Sequence, residues 1–216
     1  MGHATLPRPM ATVHHGATRG PRMDRAARRR QLLDAARGVL EAEGYADMGM
    51  REVAAAAGVS PGTLYTYFPS REGLFAVLYA ERLDVFNAQI GPAAASETDL
   101  RTLLRTIADA YTPMYRMYAR ELSPWTARSG GGLHPDVAAV LVPSATAALS
   151  TVTVAVDRLT EGSLSSIEHS AMWAMLTGIA DRVTGVRARL VPVDWDDLAD
   201  TAVEVLATGL EAAAAR

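Results

Sequence analysis

The 216-residue chain contains no cysteine and no lysine. Without cysteine it has no disulfide, no thiolate zinc site and no cysteine nucleophile, and it suits a cytoplasmic location. Without lysine, all 21 cationic side chains are arginines. Together with heavy alanine use, this suggests a GC-rich genome more than a chemical need. The first 23 residues lack the apolar stretch of a secretory signal. No convincing motif of paired carboxylates, Gly-x-Ser-x-Gly elbow or metal-ligand spacing is present. Gly130-Gly131-Gly132 has no strand-and-helix context for a phosphate loop. An all-α enzyme is therefore the weaker alternative, and neither a cofactor nor a metal is expected. His134 and His169 are lone histidines, read as surface or capping residues.

One long uncharged run exists, from Val137 to Val156. Pro143, Ser144, Thr146, Ser150, Thr151 and Thr153 interrupt it, and Asp136 and Asp157 flank it. It reads as a buried core helix and not as a membrane span. Thr151 to Val154 alternates like a strand, but Leu141, Ala145, Leu149, Val152 and Val156 hold a helical stripe, so helix is expected.

Hydrophobic residues make up 49% and charged residues 21%, a globular profile. Charge is uneven along the chain. Residues 1–75 carry ten arginines against seven acids (+3), and residues 76–216 carry eleven against seventeen (−6). A basic front and an acidic rear suit a chain that presents one end to nucleic acid. Residues 1–22 read as a disordered basic leader, a possible arm for phosphate or the minor groove. Helical periodicity then predicts about nine helices and no sheet. Helix 1 runs from about Arg25 to Glu43, ended by Gly44. A helix from Arg71 ends near Gln89 at Gly91-Pro92. A helix from Thr98 is kinked or split at Pro113. Residues 123–134 are loop-like. Ser165-Ser166-Ile167-Glu168 is a capping box, and Asp194 opens the last helix. The expected division is an N-terminal domain over 23–70 and a helical domain over 71–216.

The most specific stretch is Val53 to Phe68. An Ala-rich helix stops at Gly58, and Ser60-Pro61 opens a second one at once. Glycine suits the left-handed turn, serine the N-cap, and proline the first helical position. This is a helix-turn-helix, whose second helix can enter the DNA major groove. Its exposed side offers Gly62, Thr63, Tyr65, Thr66 and Tyr67.

Ala57 to Phe68, followed by Ser70-Arg71-Glu72-Gly73-Leu74, resembles the DNA-binding signature of TetR-type transcriptional regulators. The specific match runs from about Arg30 to Leu78; beyond it only helix count and order fit. The resemblance implies an all-α protein whose dimer places two helix-turn-helix units on a double-stranded DNA operator. It places Ser60, Pro61, Gly62 and Thr63 at the front of the recognition helix. Tyr65, Thr66 and Tyr67 lie along that helix, and Arg71 and Arg51 stand ready for phosphate. Two departures stand out. Met48-Gly49-Met50 lacks the usual hydroxyl before the second helix, and Gly73 replaces a stronger helix former.

The resemblance further implies a C-terminal domain that binds a small molecule, with dimerisation through the last two long helices. Candidate pocket residues are Phe86, Tyr111, Met114, Tyr115 and Tyr118, then Trp125, Met172, Trp173 and Met175. Aromatics and methionines suit an apolar, adaptable cavity for an apolar or weakly polar ligand. Thr177 stands where some family members carry a histidine before Gly178. Ala171, Ala174 and Gly178 form a small-residue stripe. The expected function is a repressor whose DNA affinity a ligand lowers. The remaining alternative is a helical adaptor or ligand-binding protein without DNA binding.

Overall fold

A computed structural model of the chain describes residues 24–118, 133–161, 164–184, 187–190 and 192–216. The expected leader over 1–22, the Gly130-Gly131-Gly132 stretch and Trp125 lie outside the described residues. Every element among the described residues is helical. The order is α1 (Arg25–Asp47), α2 (Met50–Ala56), α3 (Pro61–Tyr67), α4 (Arg71–Ser96) and α5 (Leu100–Met117). Then come α6 (Pro135–Leu159), α7 (Ser166–Thr184), the single turn α8 (Arg187–Leu190) and α9 (Trp195–Ala214).

Local chemistry sets most boundaries. On α1, Leu32, Leu33, Ala36, Val39 and Leu40 recur at helical spacing and are buried. The backbone leaves the helix at Gly44, with φ of 79°, before one further turn to Asp47. Asp99 caps α5 by accepting from the Thr102 N–H and hydroxyl at 2.7 and 2.8 Å. Those two hydrogen bonds hold its carboxyl below the usual range. Asp194 caps α9 by accepting from Asp196 and Asp197 N–H. At α7 the Ser165 N–H and hydroxyl both donate to the Glu168 carboxylate at 2.6 Å.

Three expectations are corrected. First, α4 does not end near Gln89 but continues through Gly91-Pro92 to Ser96. Pro92 is exposed, its fixed φ fits a helix, and it forfeits a single hydrogen bond. The Ala93-Ala94-Ala95 run beyond it is strongly helix-forming, and Ile90 anchors the buried face. Second, α5 is not split at Pro113 but passes through it as one helix, again with the proline exposed. Third, the uncharged run in α6 is buried on one face only. Val137, Leu141, Ala148, Val152 and Val156 point inward, whereas Val142, Leu149 and Val154 are 49%, 46% and 64% exposed. By length and composition alone α6 could cross a membrane; here it packs along α4.

The helix α4 is the spine. Its first turns pack against α1, and the rest lies against α5 and α6. A single hydrophobic core therefore runs from Leu32 through Phe75 and Phe86 to Leu210. Phe75 is fully buried, with its ring 4.5 Å from Tyr45 and 5.5 Å from Tyr118. On the surface, Arg101 bridges α5 to Glu204 and Glu211 of α9, and Arg105 pairs with Asp109, Asp196 and Asp200. Exposed pairs contribute little singly, so these fix helix register more than they stabilise.

Two glycines should respond in opposite directions. Gly58 has φ of 65°, and Gly38 sits inside α1; neither would crowd an added Cβ. Gly58→Ala should cost about 1 kcal/mol by left-handed strain, and Gly38→Ala should gain about 0.5–1 kcal/mol. Urea denaturation of both variants checks the pair, and equal signs would contradict it.

Candidate DNA-reading face and effector cavity

The helix-turn-helix is built from side-chain caps and one long-range bond. Ala57 N–H closes α2 on Val53 O, and Gly58 turns the chain. The Ser60 hydroxyl accepts from Thr63 N–H at 3.2 Å and meets the Thr63 hydroxyl at 2.9 Å. From α1, the Gln31 amide donates to Ala57 O at 2.9 Å, tying the first helix to the turn. Leu64 and Phe68 are buried beneath α3, and Val59 packs against the same core.

The opposite side of α3 faces solvent. Pro61, Gly62, Tyr65 and Thr66 are exposed, and Thr63 is half-exposed. The Thr66 hydroxyl donates to Gly62 O at 2.9 Å, leaving its lone pairs outward. In the first turn of α3, Pro61 has no N–H and Ser60 holds those of Thr63 and Leu64, which leaves the Gly62 N–H as the donor on the solvent side. Tyr67 is half-buried, with the Arg25 guanidinium 5.9 Å from its ring centre. Arg29 lies 5.2 Å over the Phe68 ring. The sequence reading left Arg29 out. Its four-residue spacing from Arg25 was the available signal, because it puts both guanidiniums on one face beside the end of α3.

Arg51 is exposed at the start of α2. Arg71 is more constrained: its guanidinium lies 4.5 Å over the Tyr45 ring and donates to Ala46 O at 3.4 Å. At Gly49 the Glu52 carboxylate folds back into the space a Cβ would take. Gly49 caps α2 without a side-chain hydrogen bond. Gly73 has a parallel reason: a Cβ there would sit 3.2 Å from the Ser70 hydroxyl that caps α4.

A cavity of about 150 Å³, partly open to solvent beside Leu149, lies between α4, α5, α6 and α7. Tyr79, Leu83, Phe86, Tyr111, Met114 and Trp173 line it, and α6 supplies Ala145, Ala148 and Leu149. Four of the predicted pocket residues thus meet here: Phe86, Tyr111, Met114 and Trp173. The others are placed elsewhere. Tyr115 reaches the Asp181 carboxylate at 3.3 Å, Tyr118 stacks on Tyr79, Met172 is fully buried, and Met175 is partly exposed. Trp125 lies outside the described residues. Periodicity identified the buried stripes but not which stripe faces a gap. Small Ala145 and Ala148 opposite large rings were the missing cue.

Most of the cavity is apolar, and its few polar atoms are specific. Tyr111 and Thr177 hydroxyls meet at 3.3 Å. The Trp173 indole N–H is buried with no acceptor among the described residues. Burial pushes the hydroxyls of Tyr79, Tyr111 and Tyr118 above the ordinary phenolic pKa, so all three are neutral donors. His169, expected as a surface or capping residue, is instead largely buried inside α7: Nδ1 meets Ser165 O at 3.0 Å, and Nε2 lies 3.0 Å from the Asp157 carboxylate of α6. No group of three metal-ligating side chains occurs among the described residues.

Residues 32–78 match the family described as bacterial regulatory proteins, tetR family. The HTH-type transcriptional activator FasR of Mycolicibacterium smegmatis is 38% identical over 96 residues, 44% of each chain. The match therefore spans less than half the length of that relative. Among solved structures, a tetR-family regulator from Streptomyces coelicolor superposes with a TM-score of 0.65 at 16% identity, covering 89% of this chain and 84% of that one. FadR from Bacillus subtilis, solved in complex with stearoyl-CoA, gives 0.60 at 16% identity, covering 83% and 98%. At such identities the structures speak for the all-helical fold.

The raised tyrosine pKa values carry a sign. Folded values above the unfolded one mean the unfolded chain releases these protons first, so stability present below about pH 10 is lost as pH rises further. An absorbance titration should show a set of tyrosines ionising late, together with a falling denaturation midpoint above that pH. Ionisation of every tyrosine near the ordinary value would contradict the cavity geometry.

Proposed function

We propose that this chain, which belongs to the TetR family of bacterial regulatory proteins, is a cytoplasmic, dimeric, sequence-specific transcriptional regulator. Its domains are a reader over residues 23–70 and an effector and dimerisation domain over 71–216. The observation that carries the reading is the Ser60-capped α3, which rests Leu64 and Phe68 on the core and turns Pro61, Gly62, Tyr65 and Thr66 to solvent. Ser60, Pro61, Gly62 and Thr63 form the front that meets the operator. Tyr65 and Thr66 reach base edges or phosphate. Tyr67, Arg71 and Arg51 hold phosphate, joined by Arg25 and Arg29. Phosphate contacts set affinity and register, whereas the α3 front sets sequence.

Dimerisation is assigned to α7 and α9. Ile167, Ala171, Ala174 and Gly178 form an exposed apolar stripe on α7, and Val205 and Gly209 continue it on α9. The two helices pack together, so two copies can build a four-helix interface. Small residues there permit close approach.

The cavity is assigned to an effector with an apolar part and an acceptor for the Trp173 N–H. Effector binding favours the conformer whose reading heads no longer match the half-site spacing, a population shift that requires differential affinity. The proposed sign is repression relieved by ligand. FasR is by name an activator, so a reporter assay with and without effector decides the sign.

Gel shift on DNA selected from random fragments tests the reader. Arg51→Gln should weaken binding evenly across sequences and lower the salt slope by about one, whereas Thr63→Ala should also relax base preference. Absence of any shift at low salt by a folded dimer would sink the reading. For the interface, Ala174→Glu with Val205→Glu should give a monomer by light scattering and abolish the shift. A persistent dimer would place the interface elsewhere.

A further inference from the structure

A second concavity, of about 380 Å³, lies where α1, α4 and α5 meet. Three guanidiniums line it, Arg37 from α1, Arg82 from α4 and Arg116 from α5, against the two carboxylates of Glu41 and Glu81. Glu81 is engaged by Arg37 at 3.0 Å, and Arg37 also holds Asp34 at 2.9 Å. Arg82 and Arg116 have no ion pair among the described residues, and Arg82 is half-buried. Arg116 is exposed, and three guanidiniums against two carboxylates leave the concavity one positive charge in excess. The floor is the Tyr118 ring, stacked on Tyr79 at 5.5 Å and 11°. Tyr79 is at the same time a wall of the apolar cavity. One stacked pair of rings therefore separates a cationic cleft from an apolar hole.

We propose that the Arg37, Arg82 and Arg116 cleft is an anion-binding site that receives a carboxylate or phosphate, foremost the charged head of an effector whose apolar part enters the cavity as the Tyr118 ring moves off Tyr79. Arginine forks match such oxyanions with paired N–H donors. The Tyr118 hydroxyl, held neutral by burial, adds a further donor. Because the three arginines come from three helices, an anion held among them ties α1 of the reader to α5 of the effector domain. It also competes with Glu81 for Arg37, the ion pair that joins α1 to α4. Head binding thus acts on the joint that sets the reader's angle. The inference rests on the reading of the cavity as an effector site.

The test uses the full chain and three probes in calorimetric titration: sodium octanoate, 1-octanol and inorganic phosphate. Octanoate should bind about tenfold or more tightly than octanol. Arg82→Gln with Arg116→Gln should erase that advantage, and Arg82→Lys with Arg116→Lys should retain much of it. Phosphate bound with the same arginine dependence supports the site and assigns its anion to a free ion. Equal affinity for octanoate and octanol without phosphate binding, or a preference that survives the glutamine pair, overturns the cleft. A ligand-free gel shift run in parallel separates the two readings. Intact DNA binding without arginine-dependent anion binding removes the cleft alone, and loss of DNA binding in the native chain removes the regulator.

Discussion

The contact on which the rest of the molecule depends is Phe75 wedged between Tyr45 and Tyr118. Tyr45 belongs to the end of α1, Phe75 to α4 and Tyr118 to the end of α5. A buried aromatic side chain contributes through its large apolar area and through ring geometry. Here that contribution is shared by the reader and the body, so neither has a core of its own. The short helices α2 and α3, seven residues each, are too short to persist alone in water. They exist because α2 packs on α1 and α3 packs on α2.

Two aromatic groups meet across the cavity. Tyr45, Phe75, Tyr79 and Tyr118 form one, and Phe86, Tyr111, Tyr115 and Trp173 form the other. Tyr79 is the member of the first group that reaches the cavity wall. A change in its ring position meets Tyr118 and Phe75 before anything else. Close-packed interiors respond to such displacement by switching between discrete packings and not by smooth deformation. This gives the cavity a physical route to α1 through contacts already in place.

The sequence was most legible where structure is local. Gly58, Ser60, Pro61 and Asp194 announce helix ends through their own backbone needs, and those ends lie where expected. It was less legible where tertiary packing overrules a local signal. Pro92 and Pro113 are strong stops in isolation, yet both sit on solvent faces where a missing N–H costs little. The α6 run reads as fully buried because charge is absent, but a helix has two sides and only one meets α4. At the candidate site, Met172 and Met114 look alike in sequence. One ends in solid core and the other beside a void, which pairwise spacing does not encode. The Arg37, Arg82 and Arg116 cleft assembles residues from three helices and leaves no linear pattern.

Arg71 shows how a fold can settle in advance part of what recognition would otherwise cost. Its guanidinium lies 4.5 Å over the Tyr45 ring, and one N–H is turned to Ala46 O. Free arginine side chains carry about 2 kcal/mol of rotamer entropy. For Arg71 much of that is surrendered during folding, to the Tyr45 ring, Ala46 O and the Glu72 carboxylate 4.0 Å from Nε. Arg51 is exposed and has no such platform, so under the proposed reading its ordering would fall at the moment of contact. Of two equal charges at the same surface, the stacked one is the better prepared.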